Sequence, residues 1–197
     1  MAGELKPSLT CGNVSQVDAE GSSILHLACH GGHLEMVKYI FSQNITDINS
    51  RGMHGMTPLH LAAREGYREV FDLVLDKGGD ASLVDINGDN ILHVACLGGH
   101  VEMVKYILSQ NISDINSRGM YERTPLMGAA TFGHREVFEL VVDKGGTTSL
   151  VDINGNNILH LACLGGHVEM VKNILSQNIS DINSRGMYGS FGTYGPV

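Results

Sequence analysis

The chain has 197 residues and a formal net charge of −8, from 21 acidic and 13 basic side chains. Apolar residues make up 43% and charged residues 17%, enough to bury a core and to exclude a compositionally disordered chain. The acidic balance, the absence of Trp and an aromatic content of 6% argue against a nucleic-acid or anionic-membrane partner, which requires a cationic face or stacking platforms.

Residues 1–17 hold too few apolar side chains for a structural unit and are expected to form an N-terminal cap or tail. They show no signal-peptide core, and no run of about 18 apolar residues follows, so no membrane span is expected. From residue 18 the sequence repeats. Residues 82–121 and 149–188 align without gaps and differ only at Asp89/Asn156, Val94/Leu161 and Tyr106/Asn173. Residues 18–52 fall in the same frame, 67 residues earlier. A half-period is also present: ILHLAC at 24–29 becomes PLHLAA at 58–63, ILHVAC at 91–96, PLMGAA at 125–130 and ILHLAC at 158–163. Self-similarity at this spacing is the mark of a repeat architecture. It divides the chain into five units, 18–51, 52–84, 85–118, 119–151 and 152–185.

Each unit reads as two short helices and a turn. Ser23, Thr57, Asn90, Thr124 and Asn157 can cap the first helix, and Pro58 and Pro125 suit its first position. Glycines then stop it, as at Gly66, Gly98-Gly99 and Gly133. The second helix, for example Val101–Leu108, carries apolar residues at helical spacing. Asn87-Gly88 and Asn154-Gly155 are hairpin-tip signals. Helices this short do not stand alone in water. Each unit must bury its faces against its neighbours, which predicts an all-α repeat solenoid of helix-turn-helix units with projecting β-hairpin turns.

The histidines and cysteines follow the repeat. His26, His60, His93 and His160 share one place in the first helix, and His33, His100, His134 and His167 start the second. Equivalent residues in adjacent units are expected about 10 Å apart from helix-packing distances, too far for two ligands of one zinc. No metal, cofactor or catalytic residue is expected. Cys29, Cys96 and Cys163 each follow a histidine by three residues, and the same pair recurring three times argues for packing, with all three thiols buried and free. Free cysteines and the lack of a signal peptide predict an intracellular, cytoplasmic protein.

The segment Thr57-Pro-Leu-His-Leu-Ala-Ala63, the GGH-x-EMVK-x-I runs at 31–40, 98–107 and 165–174, and the period of about 33 residues resemble the ankyrin-repeat family. The resemblance covers about residues 18–190. It departs from the family pattern in the Ser-Ile or Asn-Ile that replaces Thr-Pro in the odd units, and in Met127, which stands where the fourth histidine is expected. The resemblance implies stacked helix pairs, projecting hairpins and a concave face that binds proteins. It also implies that the first-helix histidines tie adjacent units together.

Carried over position by position, the partner-facing residues are Met53, His54, Met56, Arg64 and Glu65 in the second unit. In the third they are Ile86, Asn87, Asp89 and Leu97; in the fourth Met120, Tyr121, Arg123, Thr131 and Phe132; in the fifth Ile153, Asn154, Asn156 and Leu164. Exposed Met, Tyr, Phe and Arg are enriched at interface centres, and the expected stripe centres on Arg64, Tyr121, Arg123 and Phe132. The sixth unit begins at Gly186-Met-Tyr188 and then loses the pattern, giving a glycine- and aromatic-rich segment, 186–197, that cannot be helical.

Two functions remain open: a non-enzymatic scaffold that binds another protein, and a structural protein that stacks end to end through its terminal units. An enzyme using a Cys–His pair is a third and weaker reading.

Overall fold

The computed structural model describes residues 17–43 and 47–180. The expected cap or tail, residues 1–17, lies outside them except for Val17, and the segment 186–197 lies wholly outside.

The described residues form ten α-helices in five pairs. The pairs are α1 (Ile24–His30) with α2 (Leu34–Gln43), α3 (Pro58–Glu65) with α4 (Arg68–Asp76), and α5 (Ile91–Gly98) with α6 (Val101–Gln110). They continue with α7 (Pro125–Phe132) and α8 (Arg135–Asp143), then α9 (Ile158–Leu164) and α10 (Val168–Ser176).

Local chemistry sets the helix starts. The Asn90 side-chain oxygen accepts from Leu92 N and His93 N at 3.0 and 3.1 Å. Asn157 does the same for Leu159 N and His160 N. Thr57 and Thr124 accept from the third helical N–H of α3 and α7. These contacts satisfy amides that a helix start leaves without partners. Helices α3, α5 and α7 end at Gly66, Gly99 and Gly133, all left-handed with φ of 76°, 79° and 75°, a conformation glycine adopts at no steric cost.

Helices α1, α3, α5, α7 and α9 stack on one another in a row, and the second helices form a looser row behind them. The small residues Ala62, Ala63, Ala95, Ala129 and Ala130 are fully buried in the front row and let its backbones approach closely. The core runs the length of the stack, with Leu25, Leu59, Leu92, Leu126 and Leu161 fully buried in successive front helices. Phe71 and Phe138 are fully buried behind them.

Between pairs the chain projects in tight turns. Each is closed by one 2.9 Å backbone bond: Gly52 N to Met56 O, Asp85 N to Asp89 O, Gly119 N to Arg123 O, and Asp152 N to Asn156 O. Among the described residues these hairpin-like tips do not lengthen into strands. Adjacent tips are tied: Ile86 N donates to His54 O and Ile153 N to Tyr121 O, while Met120 N donates to Asp89 Oδ1 at 2.9 Å.

Cys29 and Cys96 are buried, as their repeat position predicts, but Cys163 is exposed. Helices α3 and α7 lie over the first two thiols' helices; among the described residues no further helix covers α9.

Candidate protein-binding face

The front-row histidines are structural. His26 receives the Ser23 N–H on Nδ1 at 3.1 Å, and its Nε2 lies 3.0 Å from Ser50 O and 3.1 Å from Met56 O. His93 receives Asn90 N at 3.3 Å and sets Nε2 3.1 Å from Arg123 O. An Nδ1 that accepts leaves the proton on Nε2, so each ring donates to a carbonyl of the next unit. Burial lowers the pKa of His26, His60 and His93 and keeps the rings neutral. Met127 offers no such donor.

Arg123 replaces that tie. Its Nε lies 3.2 Å from Asp152 Oδ2, with the Asp152 side chain fully buried. Burial alone would raise the Asp152 pKa, but donors from Asn156 and Asn154 and the Arg123 guanidinium outweigh it and hold the carboxyl below its ordinary value. Arg123 also lies over the Tyr121 ring, 5.4 Å from its centroid. It is part of the structure that presents Tyr121 rather than a free cation.

The fourth tip is held in a conformation that L-residues rarely adopt. Tyr121 and Glu122 are both left-handed, with φ of 57° and 60°, as the two central residues of a primed hairpin turn require. Two adjacent non-glycine residues with positive φ are strained. The turn is pinned by Arg118, whose Nη1 donates to Glu122 O and, at 2.7 Å, to Val151 O. Tyr121 is thereby held 53% exposed, and Phe132, at the end of α7, is 54% exposed.

Between Tyr121 and Phe132 the surface sinks into a notch of about 250 Å3. Asp89, His93 and Leu97 form its third-unit wall; Met120, Tyr121, Arg123, Thr131 and Phe132 form its fourth-unit wall. Its floor is Thr124, Pro125 and Gly128. The structure therefore brings six of the sequence-expected residues together: Asp89, Met120, Tyr121, Arg123, Thr131 and Phe132. A smaller hollow of about 150 Å3 gathers Met53, Met56 and Arg64 with Leu27, Leu61 and His30. The expected single stripe is thus two clusters, with Arg64 in the second. His54 and Glu65 line neither, and Glu65 faces His30 at 3.4 Å.

Three of the expected partner-facing side chains need correction. Met56, Asp89 and Asn156 are 6%, 7% and 7% exposed. Met56 packs into the core. Asn156 Nδ2 donates to Asp152 Oδ2 at 3.2 Å. Asp89 caps the neighbouring tip, and burial raises its pKa. A tip residue just before a helix cap turns inward, as Asp89 does against the next tip and Asn156 against Asp152 of its own. Gly128, at the floor of the notch, was not among the expected residues. Its signal was present, since PLMGAA has glycine where the other four units have Leu27, Leu61, Val94 and Leu161.

Among the described residues no group of three or more His, Cys, Asp or Glu side chains is placed to hold a metal ion. None of their helices is long and apolar enough to cross a membrane.

A family model for ankyrin repeats matches three times, at residues 4–85, 73–152 and 113–186. The chain belongs to the ankyrin-repeat family. It is 32% identical over 162 residues to a palmitoyltransferase, AKR1, of Lachancea kluyveri, covering 80% of this chain and 22% of that protein. It is 30% identical over 183 residues to a human ankyrin and armadillo repeat-containing protein, covering 90% and 13%. It is 30% identical over 140 residues to the probable 26S proteasome regulatory subunit p28 of Saccharomyces cerevisiae, covering 70% and 61%. The chain spans 22% and 13% of the first two proteins' own lengths. Ankyrin repeats bind other proteins and are not themselves catalytic.

Proposed function

We propose that this chain is a non-enzymatic, intracellular scaffold that binds a partner protein through the concave side of its third and fourth units. The observation that carries the reading is the pair Tyr121 and Phe132, each more than half exposed, flanking a notch on an otherwise ordered surface. Rigid aromatic anchors around a pocket are the arrangement that concentrates binding energy. The strain at Tyr121-Glu122 fits the same reading, because strained backbone tends to gather where presentation matters.

The transferase activity in the name of one relative belongs to a protein more than four times the matched length. The two buried thiols do not support such chemistry: burial pushes Cys29 up to about 12 and raises Cys96 as well, so neither supplies a thiolate. The acidic net charge supports a protein rather than a nucleic acid or a membrane as partner.

The test is a comparison of the chain with a Tyr121→Ala/Phe132→Ala variant as bait in cell extract. A true partner is retained by the first and weakened at least tenfold on the second, about 1.4 kcal/mol, with the melting profile unchanged. Equal retention by both baits would remove this face from consideration.

A further inference from the structure

The notch is defined by a missing side chain, and the repeat shows which one. At the position of Gly128, units one, two, three and five carry Leu27, Leu61, Val94 and Leu161. Three of these are buried, at 9%, 2% and 0% exposure for Leu61, Val94 and Leu161. The architecture is therefore built around a branched aliphatic group here, and α7 omits it. Glycine inside a helix is unfavourable by up to about 1 kcal/mol relative to alanine, and nothing in the backbone demands it: Gly128 does not have a positive φ. A Cβ placed on it would meet only the Leu97 side chain, at 3.1 Å, a partly buried group that would have to give by a few tenths of an ångström. The glycine keeps the space open rather than permitting a turn or a close backbone approach.

The size of the space narrows the occupant. About 250 Å3 falls below the range of about 300–1,000 Å3 typical of small-molecule and cofactor pockets. It suits one side chain.

Charge narrows it further. Asp89 lies in the wall, its carboxylate accepting from Met120 N. Asp85, which accepts from Asp89 N, is the counterpart of Asp152 one 67-residue period later, and the arginine that serves Asp152, Arg123, is Met56 one period earlier. Among the described residues neither Asp85, Asp89 nor the exposed Glu122 forms a close ion pair with Lys or Arg, while Arg123 is already committed. Arg118 beside Glu122 spends its donors on two backbone carbonyls, and three carboxylates against that one guanidinium leave the charge around the notch negative, matching the chain's net −8.

We propose that the notch over Gly128 seats one branched aliphatic side chain, leucine or isoleucine in size, from a basic segment of a partner protein. This rests on the protein-binding reading above and deepens it. The aliphatic group takes the place that Val94 and Leu161 fill from within their own helices. A neighbouring lysine or arginine faces the exposed Glu122, and Tyr121 and Phe132 close over the sides.

The experiment selects phage-displayed random dodecapeptides on the whole chain and measures affinities of synthetic copies by fluorescence polarisation. Selected sequences are expected to share a Leu, Ile or Met beside Lys or Arg. Replacing that aliphatic residue by Ala should weaken binding by about tenfold to a hundredfold, the worth of one buried leucine side chain. Gly128→Leu, which supplies the group from within, should weaken the same peptides by a similar factor, and Gly128→Ala by less. Both variants should melt no lower than the parent.

Peptides that bind Gly128→Leu as well as the parent, but lose affinity for the Tyr121→Ala/Phe132→Ala variant, would overturn the notch and leave the protein-binding face standing. Peptides indifferent to both changes would overturn both. No binder, or an acidic consensus, would overturn the notch proposal. A concentration-dependent dimer in sedimentation that Gly128→Leu abolishes would assign the notch to a second copy of this chain and overturn it likewise.

Discussion

The second and fourth units occupy the same place in the two-unit period, yet their two halves differ from each other in opposite ways. Their outer halves are nearly the same. Helices α4 and α8 bury Val70, Phe71 and Val74 in one case and Val137, Phe138 and Val141 in the other. Their inner halves diverge: His54, Gly55 and Met56 become Tyr121, Glu122 and Arg123 in the tips, and His60, Leu61, Arg64 and Glu65 become Met127, Gly128, Thr131 and Phe132 in the front helices. The outer half answers to packing, where a change of a methylene is felt. The inner half is where two copies of one scaffold present different surfaces. The changes are also coupled. Losing the histidine at Met127 removes the cap partner that His60 offers Thr57 and any histidine tie to the fifth unit. Arg123, which stands where the second unit has Met56, supplies a tie to Asp152 instead.

The sharpest way to break this comparison is to exchange the coupled residue. Arg123→Met gives the fourth unit the second unit's residue but leaves Asp152 buried without its cation. Bonds to a buried charged group are worth about 1.5–3 kcal/mol, so the expected loss is about 2 kcal/mol, or roughly 4–8 °C in the unfolding midpoint of a chain this size. The remaining donors to Asp152, Asn154 N, Asn156 N and Asn156 Nδ2, keep the loss from being larger. Met56→Arg should give no matching gain, because Met56 is packed in the core and an arginine there must bury a charge. A thermal melt of both variants checks this; equal and opposite effects would show that the tie is a local salt bridge and not a replacement.

A smaller effect separates the units by pH. Burial lowers the pKa of His26, His60 and His93 below 6.5 in the folded chain. Between the lowered value and 6.5 the unfolded chain binds protons that the folded chain refuses, so stability rises with pH there and is lost on acidification. Asp89, raised by burial, acts in the opposite sense at the acidic end, and three histidines outweigh it. The unfolding midpoint should therefore fall from pH 7.5 to 5.5. His60→Met, which copies Met127, should reduce that fall, and an unchanged acid response in the variant would contradict the neutral, buried ring.

Much of this was legible in the sequence because the signals are local. Cap residues and terminal glycines mark helix ends through a few neighbouring amides, and a two-helix unit repeated five times leaves few ways to bury apolar surface other than stacking. Most of what escaped depends on the neighbouring unit. Met56 and Asp89 look exposed within one unit and are covered or bonded by the next, while Asn156 is held by Asp152 of its own unit. Cys163 matches Cys96 in sequence and differs because, among the described residues, no further helix covers α9 as α7 covers α5. The left-handed pair Tyr121-Glu122 has no propensity to announce it, since the conformation is imposed by the closing bond from Gly119 to Arg123 and the clamp from Arg118. Gly128 was readable in principle, but only as a volume absent from one unit of five.

That absence yields the smallest stability effect and the one that most sharpens the contrast between the two units. Gly128→Ala removes the backbone entropy that glycine gives the unfolded chain and adds one methyl to the notch, so α7 should gain about 0.5–1 kcal/mol, a rise of roughly 1–4 °C. The Cβ meets Leu97 at 3.1 Å, and the gain is realised only if that partly buried side chain swings outward by a few tenths of an ångström. The reverse change, Leu61→Gly, should cost more than this gain, because Leu61 is buried and its removal loses apolar contact as well as helix propensity. The pair is thus expected to be unequal, with the second unit using its leucine to hold the stack together and the fourth giving up stability to keep a space open. If Gly128→Ala lowered the melting point instead, the glycine would be serving close packing against Leu97, and the notch would be a by-product of that packing.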